Sequence, residues 1–164
     1  MHSYYDATAN TRVAHPSLQS HERADICIIG AGYTGLSSAL HLAQRGYKVI
    51  VLEAESVAFG ASGRNGGHVG IGQRADQADL EDKLGHDAAS VLWDMGLEAV
   101  DTVKALISDH DIKCDLKHGD MHLAHKTRLC DGLKEEVECL ADRYNFTDME
   151  NIQQERVGEV IGRT

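Results

Sequence analysis

The stretch from Asp25 to Glu53 limits what this chain can fold into more than any other part of it. Ile26, Ile28 and Ile29 make a short apolar run of the kind that forms a strand buried on both faces of a parallel sheet. Gly30, Gly32 and Gly35 follow at once, and Leu36, Ala39, Leu40 and Ala43 then recur at helical spacing on one face. Gly46 is placed to end that helix, Tyr47 to Leu52 form a second apolar segment, and Glu53 closes it with a carboxylate. Strand, glycine turn, helix, strand and acid in this order predict a βαβ unit with an anion site at its turn.

Each glycine has its own physical reason. Gly30 permits the tight turn out of the strand, Gly32 has no Cβ to block a pyrophosphate from the backbone, and Gly35 lets the helix pack close to the sheet. The start of the helix presents unpaired N–H groups and the positive end of its dipole, so Gly30, Ala31, Gly32, Tyr33, Thr34 and Gly35 need no basic side chain to bind phosphate. Glu53 is positioned to accept hydrogen bonds from adenosine ribose hydroxyls, and its charge disfavours a 2′-phosphate. The unit is therefore expected to bind a dinucleotide other than NADP.

Beyond Glu53 and Ala54 the chain carries Gly60, Gly63, Gly66 and Gly67 crowded around Ser62, Arg64 and Asn65. Glycines allow close approach and unusual backbone angles, and the three polar side chains can hydrogen-bond phosphate, ribityl or ring atoms. On composition alone, a surface loop accounts for the segment equally well.

Taken together, Gly30, Gly32, Gly35, Glu53 and the run from Gly60 to Gly67 resemble the FAD-dependent amine and amino-acid oxidases of the D-amino-acid oxidase and glycine oxidase type. Within that group, the stretch from Phe59 to Gly67 is most similar to gamma-glutamylputrescine oxidoreductases. The resemblance implies an α/β fold: a Rossmann-like FAD-binding βαβ domain of the glutathione-reductase type, followed by the beginning of an α+β substrate domain. It implies that Gly30, Gly32 and Gly35 serve the FAD pyrophosphate and that Glu53 with Ala54 serves the adenosine ribose. Ser62, Arg64, Asn65, Gly66 and Gly67 would line the segment from pyrophosphate to flavin. The implied reaction is hydride transfer from an amine C–H to the flavin, giving an imine that hydrolyses, with oxygen or another acceptor reoxidising the flavin. Such enzymes run to several hundred residues, with a second FAD contact and most substrate-site residues toward their C-terminus. At 164 residues this chain is expected to be the N-terminal part of one, with the catalytic residues elsewhere.

Two other readings stay open: a non-catalytic NAD- or FAD-binding module, and a truncated fragment unable to hold the cofactor alone. The glycine loop after Glu53 favours the first reading over an NAD module, which has no need of it.

A small-molecule amine partner is what the resemblance implies, and bulk properties set aside other classes of partner. A net charge of −10 with no basic cluster excludes nucleic acid as an expected partner, and no run is long and apolar enough for a membrane span. Residues 1–24 lack the apolar core of a signal peptide and read as a polar arm. Cys27, Cys114, Cys130 and Cys139 show no Cys-x-x-Cys spacing, and Cys27 is expected buried in the first strand. Reduced thiols in the cytoplasm follow, with the oligomeric state left open.

Past the loop, Val91, Leu92, Met95, Ala99, Val100, Val103, Leu106 and Ile107 predict a long amphipathic helix from Asp87 to His110, with Trp93 and Glu98 off its stripe. Cys114–Lys117 and Asp120–Ala124 read as two short strands about His118 and Gly119, Leu129–Tyr144 as a helix, and Ile152–Ile161 as the start of another. His118, His122 and His125 would align on a helix as metal ligands, but alternation of Met121 and Leu123 favours a strand and solvated histidines, so no metal is expected. Of the ten histidines only His68, beside the glycine loop, is placed near the flavin. The expected organisation is an arm over 1–24, an FAD-binding domain over 25–112 and the start of a substrate domain over 113–164.

Overall fold

The structure, a computed structural model, describes residues 4–10 and 13–162. By backbone packing it divides into two compact units, one ending at His68 and the other beginning at Val69. A short helix α1 (Tyr4–Thr8) lies in the polar arm, and residues 13–24 are exposed without regular structure.

In the first unit, strand β1 (Ile26–Ile29), helix α2 (Tyr33–Gln44) and strand β2 (Val49–Leu52) form the expected βαβ motif. The strands pair in parallel with Ile26 opposite Val49 and Ile29 opposite Leu52. The ladder is extended at one end by Asp25, whose N–H donates to the Lys48 carbonyl at 2.9 Å and whose carboxylate accepts from the Lys48 N–H at 2.8 Å. At the other end the Gly30 N–H donates to the Leu52 carbonyl at 2.7 Å, so the pairing runs into the glycine turn.

Two expectations about burial are corrected. Ile26 and Ile28 are half-buried, whereas Cys27 is exposed and Ile29 is 88% exposed, so β1 is covered on one face only. A parallel strand is buried on both faces only when helices cover both, and α2 covers the face that Ile28 occupies. On α2 the half-buried positions are Gly35, Ala39, Leu40 and Leu42, while Leu36 and Ala43 are exposed. The helix turns its Gly35 side to the sheet because that position alone has no side chain to hold it away. A Cβ added at Gly35 would lie 2.0 Å from the Gly30 carbonyl oxygen and 3.3 Å from Cγ2 of Ile28. The helix ends as expected: Gly46 has φ +88° and donates to the Ala43 carbonyl.

The second unit is helical. Helix α3 (Gln77–Leu84) escaped the sequence reading because its charges, Asp79, Glu81, Asp82 and Lys83, leave no clean apolar stripe. Gly85, at φ +80°, breaks the chain between it and α4 (His86–Asp109), the expected long helix. The buried seam of α4 is Ala89, Trp93, Gly96 and Val100, so Trp93 belongs to the core and not outside the stripe. Val91, Met95 and Val103 of the expected stripe are exposed. The aromatic side chain selects the seam because Trp93 meets the rings of Tyr144 and Phe146, with centroids 5.5 and 5.3 Å away. Gly96 completes the seam by close approach, since a Cβ there would lie 2.9 Å from the Gly72 nitrogen.

Helix α5 (Cys130–Tyr144) follows a short 3-10 turn, buries Leu140 and half-buries Leu133 and Val137 as expected. Asn145 adopts the left-handed conformation, and the Phe146 N–H reaches back to the Leu140 carbonyl at 3.1 Å. That helix stop brings Phe146 to Trp93. Helix α6 (Gln154–Val160) ends the described chain. The two strands expected over 114–124 do not form: Asp115 (φ +51°) and Gly119 (φ +83°) interrupt the extended path, and among the described residues no strand pairs with it. His118, His122 and His125 are exposed there.

Candidate functional site

The turn from Gly30 to Gly35 is built by two constraints already visible in the backbone. Gly30 has φ +100°, a conformation that side chains rarely adopt, and Gly35 needs its missing Cβ to sit against the Gly30 carbonyl. Between them Ala31 is buried, while Tyr33 and Thr34 are exposed at the start of α2.

Glu53 stands at the C-terminal end of β2 and reaches the same turn. Its Oε2 accepts the Ala31 N–H at 2.8 Å and its Oε1 accepts the Glu55 N–H at 3.1 Å. The Ala31 N–H first and the Glu55 N–H next, against an opposing effect of burial and with a lesser contribution from the Ala54 N–H, hold the Glu53 carboxyl below its ordinary value of 4.5. The group is thus an exposed, ionised acceptor fixed beside the first N–H groups of a helix. Ala54 follows it, exposed.

The glycine loop reaches the same place from the other side. Ala58 donates its N–H to the Ala31 carbonyl at 2.9 Å, and a 3-10 turn over Ala61–Gly63 sets Ser62 against α2. The Ser62 hydroxyl accepts the Tyr33 N–H at 3.0 Å. A Cβ at Gly32 would lie 3.0 Å from that oxygen, so the missing side chain at Gly32 makes room for Ser62. Asn65 donates to the Tyr33 hydroxyl and to the carbonyls of Ala61 and Ser62, and accepts the Gly67 N–H. Gly67 has φ +70°, and Gly66 is exposed. Among the described residues, the N–H groups of Gly32, Thr34 and Gly35 find no protein acceptor.

Not every expected residue faces this turn. Arg64 packs its guanidinium over the Phe59 ring at 4.7 Å and donates Nε to the Phe59 carbonyl at 2.9 Å, which leaves only its terminal nitrogens for an anion. One residue, Ala58, escaped the sequence reading. Ala58 takes φ +59°, and a Cβ at Gly63 would lie 2.2 Å from the Ala58 carbonyl oxygen. Glycine density marked Gly63 as part of the loop, but no sequence signal distinguishes Ala58. Among the described residues, no group of three or more His, Cys, Asp or Glu converges as a metal site.

Residues 25–162 match the model of a family described as FAD dependent oxidoreductase. The chain belongs to that family. Its FAD-dependent members carry the cofactor on a Rossmann-like α/β unit, and the polar groups here fit the adenosine half of FAD: helix N-terminal N–H groups and a hydroxyl as donors, and a fixed carboxylate as acceptor. Relatives include "Probable oxidoreductase OrdL" of Haemophilus influenzae, 38% identical over 98% of this chain and 37% of its own length. Gamma-glutamylputrescine oxidoreductase of Escherichia coli is 40% identical over 83% of this chain and 32% of its own length. A second OrdL protein, from Rhizobium meliloti, is 34% identical over 98% of this chain. The chain therefore spans about a third of the length of the curated relatives it matches. No solved structure matches significantly. Among the described residues no helix is long and apolar enough to cross a membrane.

Proposed function

We propose that this chain supplies the adenosine and pyrophosphate end of the FAD site in an oxidoreductase acting on the C–N bond of a small amine or amino acid. The observation that carries the reading is Glu53 held ionised against the Ala31 N–H, beside helix N–H groups without acceptors. The helix start would take the pyrophosphate and Ser62 would donate its hydroxyl proton to it, while Glu53 would accept from the ribose hydroxyls. Ala54, Arg64, Gly66 and Gly67 would border the extended cofactor. FAD, when bound, supplies the two-electron oxidation of the substrate. The protein's part here is binding and orientation, since no described residue is assigned to the reacting bond.

The finer substrate, a gamma-glutamylated polyamine, rests on the relative of that name. A boundary near Ile112, with residues 113–164 opening a substrate domain, and a place in the cytoplasm belong to the same reading. The test is the absorption spectrum of the purified full-length protein, FAD titration, and turnover with gamma-glutamylputrescine. A flavin spectrum with amine-dependent bleaching is the expected result. No flavin and no binding on titration would sink the proposal, while bleaching by other amines alone would remove only the named substrate.

A further inference from the structure

We propose that Asn65 is a positioning residue: its side-chain amide holds the loop from Ala58 to Gly67 so that the Ser62 hydroxyl is seated on the start of α2 before a cofactor arrives. The inference rests on the FAD reading above only where it concerns affinity.

The argument is one of hydrogen-bond capacity. Asn65 Nδ2 lies 3.0 Å from the Ser62 carbonyl oxygen, 3.2 Å from that of Ala61 and 3.2 Å from the Tyr33 hydroxyl. Two of these acceptors are carbonyls, which can only accept, so the atom facing them is the amide nitrogen. An amide nitrogen carries two hydrogens, and three acceptors already share them. On its other side Oδ1 accepts the Gly67 N–H at 2.9 Å. The donors of Asn65 are committed to protein, which leaves nothing on that nitrogen for a ligand.

Ser62 is the opposite case. Its oxygen accepts from Tyr33, which leaves its own proton free to be donated. Asn65 grips the loop on both sides of Ser62, through the carbonyls of Ala61 and Ser62 and the N–H of Gly67, and ties it to α2 through Tyr33. Its contribution to binding is therefore preorganisation, which lowers the ordering cost a ligand would otherwise meet.

The experiment uses the full-length protein and reads two quantities: amide hydrogen exchange of peptides covering 58–67 without FAD, and the FAD dissociation constant. Asn65→Ala is expected to speed exchange in 58–67 by about tenfold, leave peptides of β1 and α2 unchanged, and weaken FAD binding by about tenfold. Asn65→Asp keeps an acceptor for Gly67 but has no N–H for the two carbonyls, so it is expected to be no better than Ala. Ser62→Ala is expected to weaken FAD binding while loop exchange stays near wild type. Unchanged loop exchange in Asn65→Ala with weakened FAD binding would make Asn65 a direct ligand and overturn the proposal. Wild-type exchange in Asn65→Asp, or a loosened loop with unchanged affinity, would also overturn it. If the wild type binds no FAD, the cofactor reading fails together with the affinity half of the proposal, and the exchange comparison still decides whether Asn65 holds the loop.

Discussion

Glu53 accepts the Ala31 and Glu55 N–H groups through its two carboxylate oxygens. Its folded-state pKa is lowered, chiefly by the Ala31 N–H, so the folded chain binds this proton less readily than the unfolded chain does. The contribution to stability is therefore present above the ordinary value of 4.5 and is lost as pH falls below it through the lowered folded-state value. A denaturation series in acid should show this loss in the native chain and not in Glu53→Gln. On the function proposed above, the same substitution should weaken FAD binding by about tenfold, measured by titration at neutral pH, because it removes the charge of the proposed ribose acceptor. Gly35 is constrained differently. Gly35→Ala places a Cβ 2.0 Å from backbone, which no rotamer relieves, so α2 must lift from β1. We expect a loss of about 3 kcal/mol in chemical denaturation, the upper end of ordinary overpacking. Ile28 and Gly35 had been legible from spacing alone; the exposure of Cys27 and Ile29 was not, because strand composition does not say how many faces receive a cover.

At the scale of elements, α3, α4 and α5 meet at a polar and aromatic cluster that no periodicity announced. Glu81, with a side chain 9% exposed, pairs with Arg143, accepts the Tyr144 hydroxyl at 2.6 Å and lies 3.3 Å from His86 Nδ1. Tyr144 in turn packs between His86 and Trp93. Glu81→Ala leaves the Tyr144 hydroxyl and Arg143 without their acceptor, and about 1–3 kcal/mol of stability should be lost. Trp93 is the sharper test, since its buried indole N–H has no partner among the described residues. Trp93→Phe removes an unsatisfied donor while keeping an aromatic ring, so it should cost less than about 1.5 kcal/mol, whereas Trp93→Ala should cost about 3–5. Equal losses in a thermal melt would contradict the role of the ring packed against Tyr144 and Phe146. The helix containing Trp93 was legible in the spacing of its apolar residues, but its buried seam was not. Two stripes were available on α4, and the rings of Tyr144 and Phe146 chose between them across a separation in sequence that local pattern cannot see.

For the whole molecule, exposed apolar residues are the main physical fact. Ile29, Leu84, Val91 and Met95 are 88, 53, 59 and 56% exposed, and the family's curated members extend well beyond the span matched here. Residues 1–164 alone should bind an apolar fluorescent dye at neutral pH, and Val91→Lys with Met95→Glu should lower that signal without changing helicity. An unchanged signal would place the sticky surface elsewhere. By itself the sequence determined the βαβ unit, the identity of its turn and the acid at its end, because glycine conformation, helix termini and strand periodicity are local properties of a few adjacent residues. The tertiary structure alone decided which face of β1 is covered, which stripe of α4 is core, and that Asn65 spends its donors on Tyr33, Ala61 and Ser62 while Ser62 keeps a proton free. Those outcomes depend on groups brought together from distant positions, and competition among them for space and for hydrogen bonds is settled only in the folded chain.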